Sequence, residues 1–191
     1  VQYVIRPQSK EFPDYRGYAG RIEGGVFKPG DAVTILPSKI QSTIKSIDIL
    51  NGKADEAFSP MSVCITLNDD IDISRGDMIV REHNQPRIGQ ELELMVCWMN
   101  SKKLILKGKY GIRHTSQTAR CIITDVKYKI NINTLHRNEK DKEINLNDIG
   151  RISIKTTKPI FFDNYRRNRN TGSIIIIDEA TNETVGAGMI I

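Results

Sequence analysis

The stretch Thr171-Gly172-Ser173-Ile174-Ile175-Ile176-Ile177-Asp178 decides how the rest of the chain is read. Four consecutive isoleucines favour an extended backbone, because β-branched side chains are stiff at χ1 and pack well on a pleated surface. Gly172 and Asp178 bound the run with turn residues. An uninterrupted apolar run of this length predicts a strand buried on both faces.

Outward from there, strand signals continue. Val126, Tyr128, Ile130 and Ile132 alternate with Lys127, Lys129 and Asn131, the pattern of a half-buried strand. Arg151-Ile152-Ser153-Ile154-Lys155 repeats it. Turn chemistry punctuates the chain at Gly24-Gly25, Pro29-Gly30-Asp31, Asn51-Gly52, Gly76-Asp77 and Gly108. No segment holds a 3.6-residue apolar period over several turns, so the expectation is all-β, built as barrels or sandwiches. Val26 to Val33 and Ile73 to Ile79 echo each other, each with a Gly-Asp turn between apolar stretches, and turn chemistry alone accounts for the echo.

The chain has 191 residues, 39% hydrophobic and 27% charged, room for two small domains. The polar, proline-containing break Glu82-His83-Asn84-Gln85-Pro86-Arg87 places a boundary, giving domains 1–84 and 85–191. Asn138 to Glu143 reads as a charged hairpin loop. Val1 to Arg6 reads as the middle of a strand, so the chain is expected to be cut from a longer protein. No stretch approaches the ~20 apolar residues of a membrane span.

Chemistry is sparse. A phosphate loop requires Gly-x-x-x-x-Gly-Lys-Ser/Thr. The Gly52-Lys53 and Gly108-Lys109 pairs lack both the earlier glycine and the following hydroxyl residue. Asp14-Tyr15-Arg16-Gly17 has the Asp-x-x-Gly spacing of a GTPase switch but reads as a strand lead-in. His83, His114 and His136 are isolated, and Cys64, Cys97 and Cys121 read as buried free thiols in a reducing compartment, hence a cytoplasmic protein. Asp69-Asp70 and Asp178-Glu179 read as solvated turn residues. No catalytic or metal site is expected.

Net charge is +5, scattered. One cluster stands out, Tyr165-Arg166-Arg167-Asn168-Arg169. Its guanidinium groups suit bidentate pairing with carboxylate or phosphate, and its ring can stack. The cluster reads either as a contact to nucleic acid or to an acidic partner patch, or as a solvated loop before the strand at Ser173.

Gly172 to Asp178, followed by Thr184-Val185-Gly186-Ala187-Gly188-Met189-Ile190, resembles the last strands of the C-terminal barrel of elongation factor Tu-like GTPases. Gly17-Tyr18-Ala19-Gly20-Arg21-Ile22, Gly25-Val26 and Gly30-Asp31 resemble their middle barrel. The resemblance sharpens over Val1 to Pro7, Phe12 to Gly20, Glu56-Ala57-Phe58, Ile71 to Asp77, Trp98-Met99, Val126 to Leu135, Leu146 to Arg151, Phe162 to Tyr165 and Asn168 to Gly172. Together these look like the large subunit of heterodimeric sulfate adenylyltransferases.

That resemblance implies two consecutive antiparallel β-barrels of the translation-factor type, corresponding to the second and third domains of elongation factor Tu. It implies a GTPase domain in cis that holds GTP and magnesium, with no cofactor in these barrels. It implies a smaller catalytic subunit as partner, which forms adenylyl sulfate and diphosphate from ATP and sulfate. Some members carry a following adenylyl-sulfate kinase domain. The barrels would dock the catalytic subunit and couple GTP hydrolysis to its reaction, with Tyr165, Arg166, Arg167 and Arg169 as partner contacts. The alternative is an RNA-contacting barrel of a translation-type GTPase. Asp178-Glu179, where translation factors carry a basic residue, would repel phosphate and disfavours tRNA. A third reading, a barrel enzyme with a site assembled from distant residues, finds no local cluster.

Overall fold

A computed structural model describes residues 1–7, 9–10 and 14–191. Phe12, one of the residues carrying the resemblance, lies outside them. The chain divides into two compact units, Val1–Gln85 and Pro86–Ile191. The described residues form strands and turns and no helix.

The first unit contains β1 (Tyr3–Ile5), β2 (Gly17–Arg21), β3 (Val26–Phe27), β4 (Ala32–Leu36), β5 (Ile40–Ile49), β6 (Gly52–Lys53), β7 (Ala57–Phe58), β8 (Ser62–Leu67) and β9 (Met78–Val80). Its antiparallel path runs β1-β2-β8-β5-β4-β9, with β6 on β5 and a separate β3–β7 ribbon. Backbone bonds at Val1 bring the two ends of that path together. Val1 N donates to Asp77 O (2.6 Å), and Gly76 N donates to Val1 O (3.0 Å). Tyr18, Val33, Ile35, Ile44, Ile47 and Ile65 fill the interior. The Tyr18 hydroxyl reaches Ile71 O at 2.6 Å, so its polar tip is satisfied inside the core.

The sequence echo has a physical cause. Asp31 Oδ2 accepts from Lys28 N (2.9 Å), and Asp77 Oδ2 accepts from Ser74 N (2.8 Å). The same aspartate-closed turn thus launches β4 and β9, which pair with each other.

The second unit contains β10 (Arg87–Trp98), β11 (Lys109–His114), β12 (Gln117–Ile130), β13 (Arg137–Asn138), β14 (Ile149–Phe162), β15 (Ser173–Ile177) and β16 (Thr184–Ile190). The order β11-β15-β16-β10-β14-β12 returns to β11 through the β11–β12 ladder, closing a six-stranded antiparallel barrel; β13 rides on β12. Closure leaves no unpaired edge among these six strands. Leu94, Val96, Trp98, Ile152, Ile154 and Ile176 form its interior. Each such side chain contributes about 1.5–3 kcal/mol by burial. Trp98 donates Nε1–H to Lys102 O (2.8 Å) and meets the Tyr110 ring edge-on, centroids 5.7 Å apart.

Three expectations are corrected. The isoleucine run is buried on one face only: Ile174 and Ile176 are buried, whereas Ile175 is 42% exposed. A barrel wall has one interior, so period-two alternation turns Ile175 outward whatever its hydrophobicity. The alternating strand ends at Ile130, and Ile132 lies beyond it, exposed. Cys97 is exposed, because it alternates with buried Val96 and Trp98; Cys64 is half-buried and Cys121 buried.

Candidate functional site

The arginine cluster lies in the β14–β15 connection, residues 163–172, and local chemistry folds that connection tightly. Asp163 N donates to Thr171 O (3.1 Å), and Thr171 Oγ1 donates to Asp163 Oδ2 (2.8 Å). Asn164 turns the chain: its Oδ1 accepts from Arg166 N and its carbonyl from Arg167 N and Asn168 N. Asn168 Oδ1 then accepts from Asn170 N and Thr171 N. Asparagine suits both places because its side chain mimics a backbone acceptor.

The loop is also pinned to the barrel. Tyr165 N donates to Ile190 O (2.9 Å) and Ile190 N donates to Gly172 O (2.8 Å), tying it to the end of β16. Gly172 lies directly beneath Tyr165: a Cβ there would sit 2.3 Å from Tyr165 Cα and 2.7 Å from Asn168 O. Buried His114, at the end of β11, places Nε2 2.8 Å from Phe161 O and Nδ1 2.8 Å from Ser173 O. One imidazole therefore spans both arms of the loop.

On this frame Arg166, Arg167 and Arg169 are exposed, and Tyr165 is half-buried. Arg167 lies 3.8 Å from Asp163, the one carboxylate in the loop. The three guanidinium groups thus present a basic edge on an ordered backbone.

Other residues singled out in the sequence are structural. Asp69 accepts from the Ser42 hydroxyl (2.7 Å), and Asp70 pairs with Arg16 (2.8 Å), so this pair is tied into the fold. Asp178 Oδ1 caps its turn by accepting from Ala180 N (2.8 Å). Glu179 pairs with Arg120 (2.8 Å). The terminal hairpin is therefore not the bare acidic face that the sequence implied. It borders an open groove of about 430 Å³ that also includes Gly111, Arg113 and Thr118. Gly17 of the Asp-x-x-Gly stretch opens β2, and the Tyr15 hydroxyl lies 3.6 Å from Cys64 Sγ. Burial and that contact push Tyr15 up to about 12. Burial likewise pushes the Cys121 thiol up to about 12. Among the described residues no group of three or more His, Cys, Asp or Glu comes together in a way that could hold a metal ion. Among the described residues no helix is long and apolar enough to cross a membrane.

His114 stands isolated in the sequence, yet with Thr171 and Asp163 it holds the loop. The partners of His114 lie 47 and 59 residues away along the chain, so no local pattern marks it.

The closed second barrel has the fold of translation-factor C-terminal domains. Residues 91–191 match the family described as GTP-eEF1A C-terminal domain-like, and the chain belongs to that family. Within it, the chain is 48% identical over its full length to the bifunctional enzyme CysN/CysC of Mycobacterium tuberculosis, of which it spans 31%. It is 40% identical to sulfate adenylyltransferase subunit 1 of Bacteroides fragilis, spanning 39% of that protein. The corresponding protein of Pseudoalteromonas atlantica is 42% identical and spanned to 40%. The chain therefore covers well under half the length of these relatives. Among solved structures, sup35 complexed with GDP superposes on 92% of the chain with a TM-score of 0.83 at 13% identity, a likeness of fold alone.

Proposed function

We propose that this chain is the non-catalytic barrel portion of the GTP-dependent subunit of a sulfate adenylyltransferase, with a middle barrel over 1–84 and a C-terminal barrel over 85–191. It docks a smaller catalytic subunit and couples GTP hydrolysis in a GTPase domain, carried in cis, to formation of adenylyl sulfate and diphosphate from ATP and sulfate. GTP and magnesium belong to that domain and the adenylyl transfer to the partner, and the assembly works in the cytoplasm. The names of the full-length relatives, several of them a "subunit 1", support the reading.

The observation that carries the docking role is the ordered arginine loop. A loop already held by His114, Thr171 and Gly172 loses little conformational entropy on association. Its exposed arginines offer bidentate donors to partner carboxylates. Tyr165, Arg166, Arg167 and Arg169 are the contact residues in this reading. Coupling further requires that barrel contacts with the GTPase domain differ between its nucleotide states.

The test is a calorimetric titration of the chain with the catalytic subunit, with tRNA as a parallel titrant at the same moderate salt. Saturable binding to the subunit and none to tRNA is the expected outcome. Binding to tRNA alone makes the chain an RNA-contacting module instead.

A further inference from the structure

The strand pairings of the second barrel set five outward side chains side by side. Cys97 on β10 faces Ala187 on β16, which in turn faces Ile175 on β15. One row along, Met95 faces Met189. Their inward neighbours Leu94, Val96, Ile174, Ile176 and Ile190 are buried, so this strip is the outer wall of the barrel. Ile175 is 42% and Met189 40% exposed.

The two flanks of the strip differ in charge. On one side Met95 lies opposite Arg151, which is paired with Glu93, so that flank is neutralised. On the other, Ile175 lies opposite Arg113, whose guanidinium makes no hydrogen bond or ion pair with any described residue. Met189 lies opposite Ser173, whose hydroxyl donates to the Arg169 carbonyl. The apolar strip therefore ends at Ser173, which joins it to the arginine loop.

We infer that this wall, centred on Cys97, Ile175, Ala187 and Met189, is a docking face for a protein whose contact patch has an apolar centre and carboxylates along one rim. Methionine and arginine around a desolvated apolar centre are the composition of protein–protein interfaces. A second copy of the same face would set Arg113 and the arginine loop against like charge, which disfavours self-pairing. Nucleic acid is disfavoured because the strip has no aromatic ring on which a base would stack. The inference rests on the proposed docking of a catalytic subunit and names the wall on which that subunit sits.

Cys97 is the one exposed cysteine of the three, and it lies inside the strip. Maleimide labelling of the unmodified chain, resolved by peptide mass, is run alone and with saturating catalytic subunit, saturation being set by calorimetry. Protection of Cys97 by about tenfold or more is expected. Met189→Asp and Ile175→Asp are expected to weaken the titration about tenfold or more, because a charge then sits in the apolar centre. Saturable binding with Cys97 labelled at its free rate overturns this face and leaves the docking reading standing. Failure of the subunit to bind removes both. Concentration-dependent protection without the subunit assigns the wall to a second copy and overturns the inference, as does protection by tRNA.

Discussion

Nε2 of His114 lies 2.8 Å from the carbonyl oxygen of Phe161, so a side chain of β11 holds the last turn-ward residues of β14. The opposite nitrogen reaches Ser173 O at the same distance. His114→Ala removes the imidazole N–H from the carbonyl that accepts it and opens a cavity. A loss of about 2–4 kcal/mol is expected in urea unfolding of the second unit. A change below about 0.5 kcal/mol would mean that the imidazole is not what holds the loop.

Gly172→Ala places a methyl group against the backbone of Tyr165, not against a movable side-chain end. The loop must lift, at an expected cost of about 1–3 kcal/mol. Amide exchange at Tyr165 and Ile190, whose N–H groups bond to Ile190 O and Gly172 O, should accelerate with it.

Replacing Arg166, Arg167 and Arg169 together by serine removes exposed charge without touching the hydrogen bonds of the loop backbone. Thermal stability should therefore stay within about 5 °C, each of the three surface substitutions being worth at most about 0.5 kcal/mol. Affinity for the catalytic subunit should fall about tenfold or more, and its salt dependence should flatten. Unchanged affinity would move the interface off this loop.

Lys129 Nζ sits 2.8 Å from Asp141 and 3.0 Å from Asp148. The Asp141 carboxyl is held below its ordinary range first by the hydrogen bond from Lys129 and then by the Glu143 amide. A depressed carboxyl stabilises the fold above its unfolded pKa, and the contribution is lost as pH falls through the folded value. The effect therefore appears below about pH 4. The site is solvated, so less than about 1 kcal/mol is at stake. Asp141→Asn should flatten the acid limb of a stability-against-pH curve and leave its neutral plateau nearly level.

The three thiols should separate kinetically. Cys97, exposed, reacts first with an aromatic disulfide reagent. Cys64 is half-buried with its thiol pushed up by burial and reacts more slowly. Cys121, buried and pushed up to about 12, reacts only on unfolding. Equal rates at Cys97 and Cys121 in the folded chain would contradict the wall orientation of β10 and β12.

Local chemistry made much of this protein legible in its residues. Alternation in Arg151–Lys155 marks a strand because side chains change face at every residue, and the Gly-Asp turns announce themselves because their hydrogen bonds close within three residues. The arginine cluster is contiguous and so visible as a group. What only the tertiary structure decided depends on residues far apart in the chain. Pairing of β11 with both β12 and β15 closes the barrel, and closure gives each strand one inner face. That closure turns Ile175 and Cys97 outward, although their hydrophobicity argues for burial. It also carries His114 to Phe161 and Ser173, making a histidine with no sequence neighbours of note the clasp of the arginine loop.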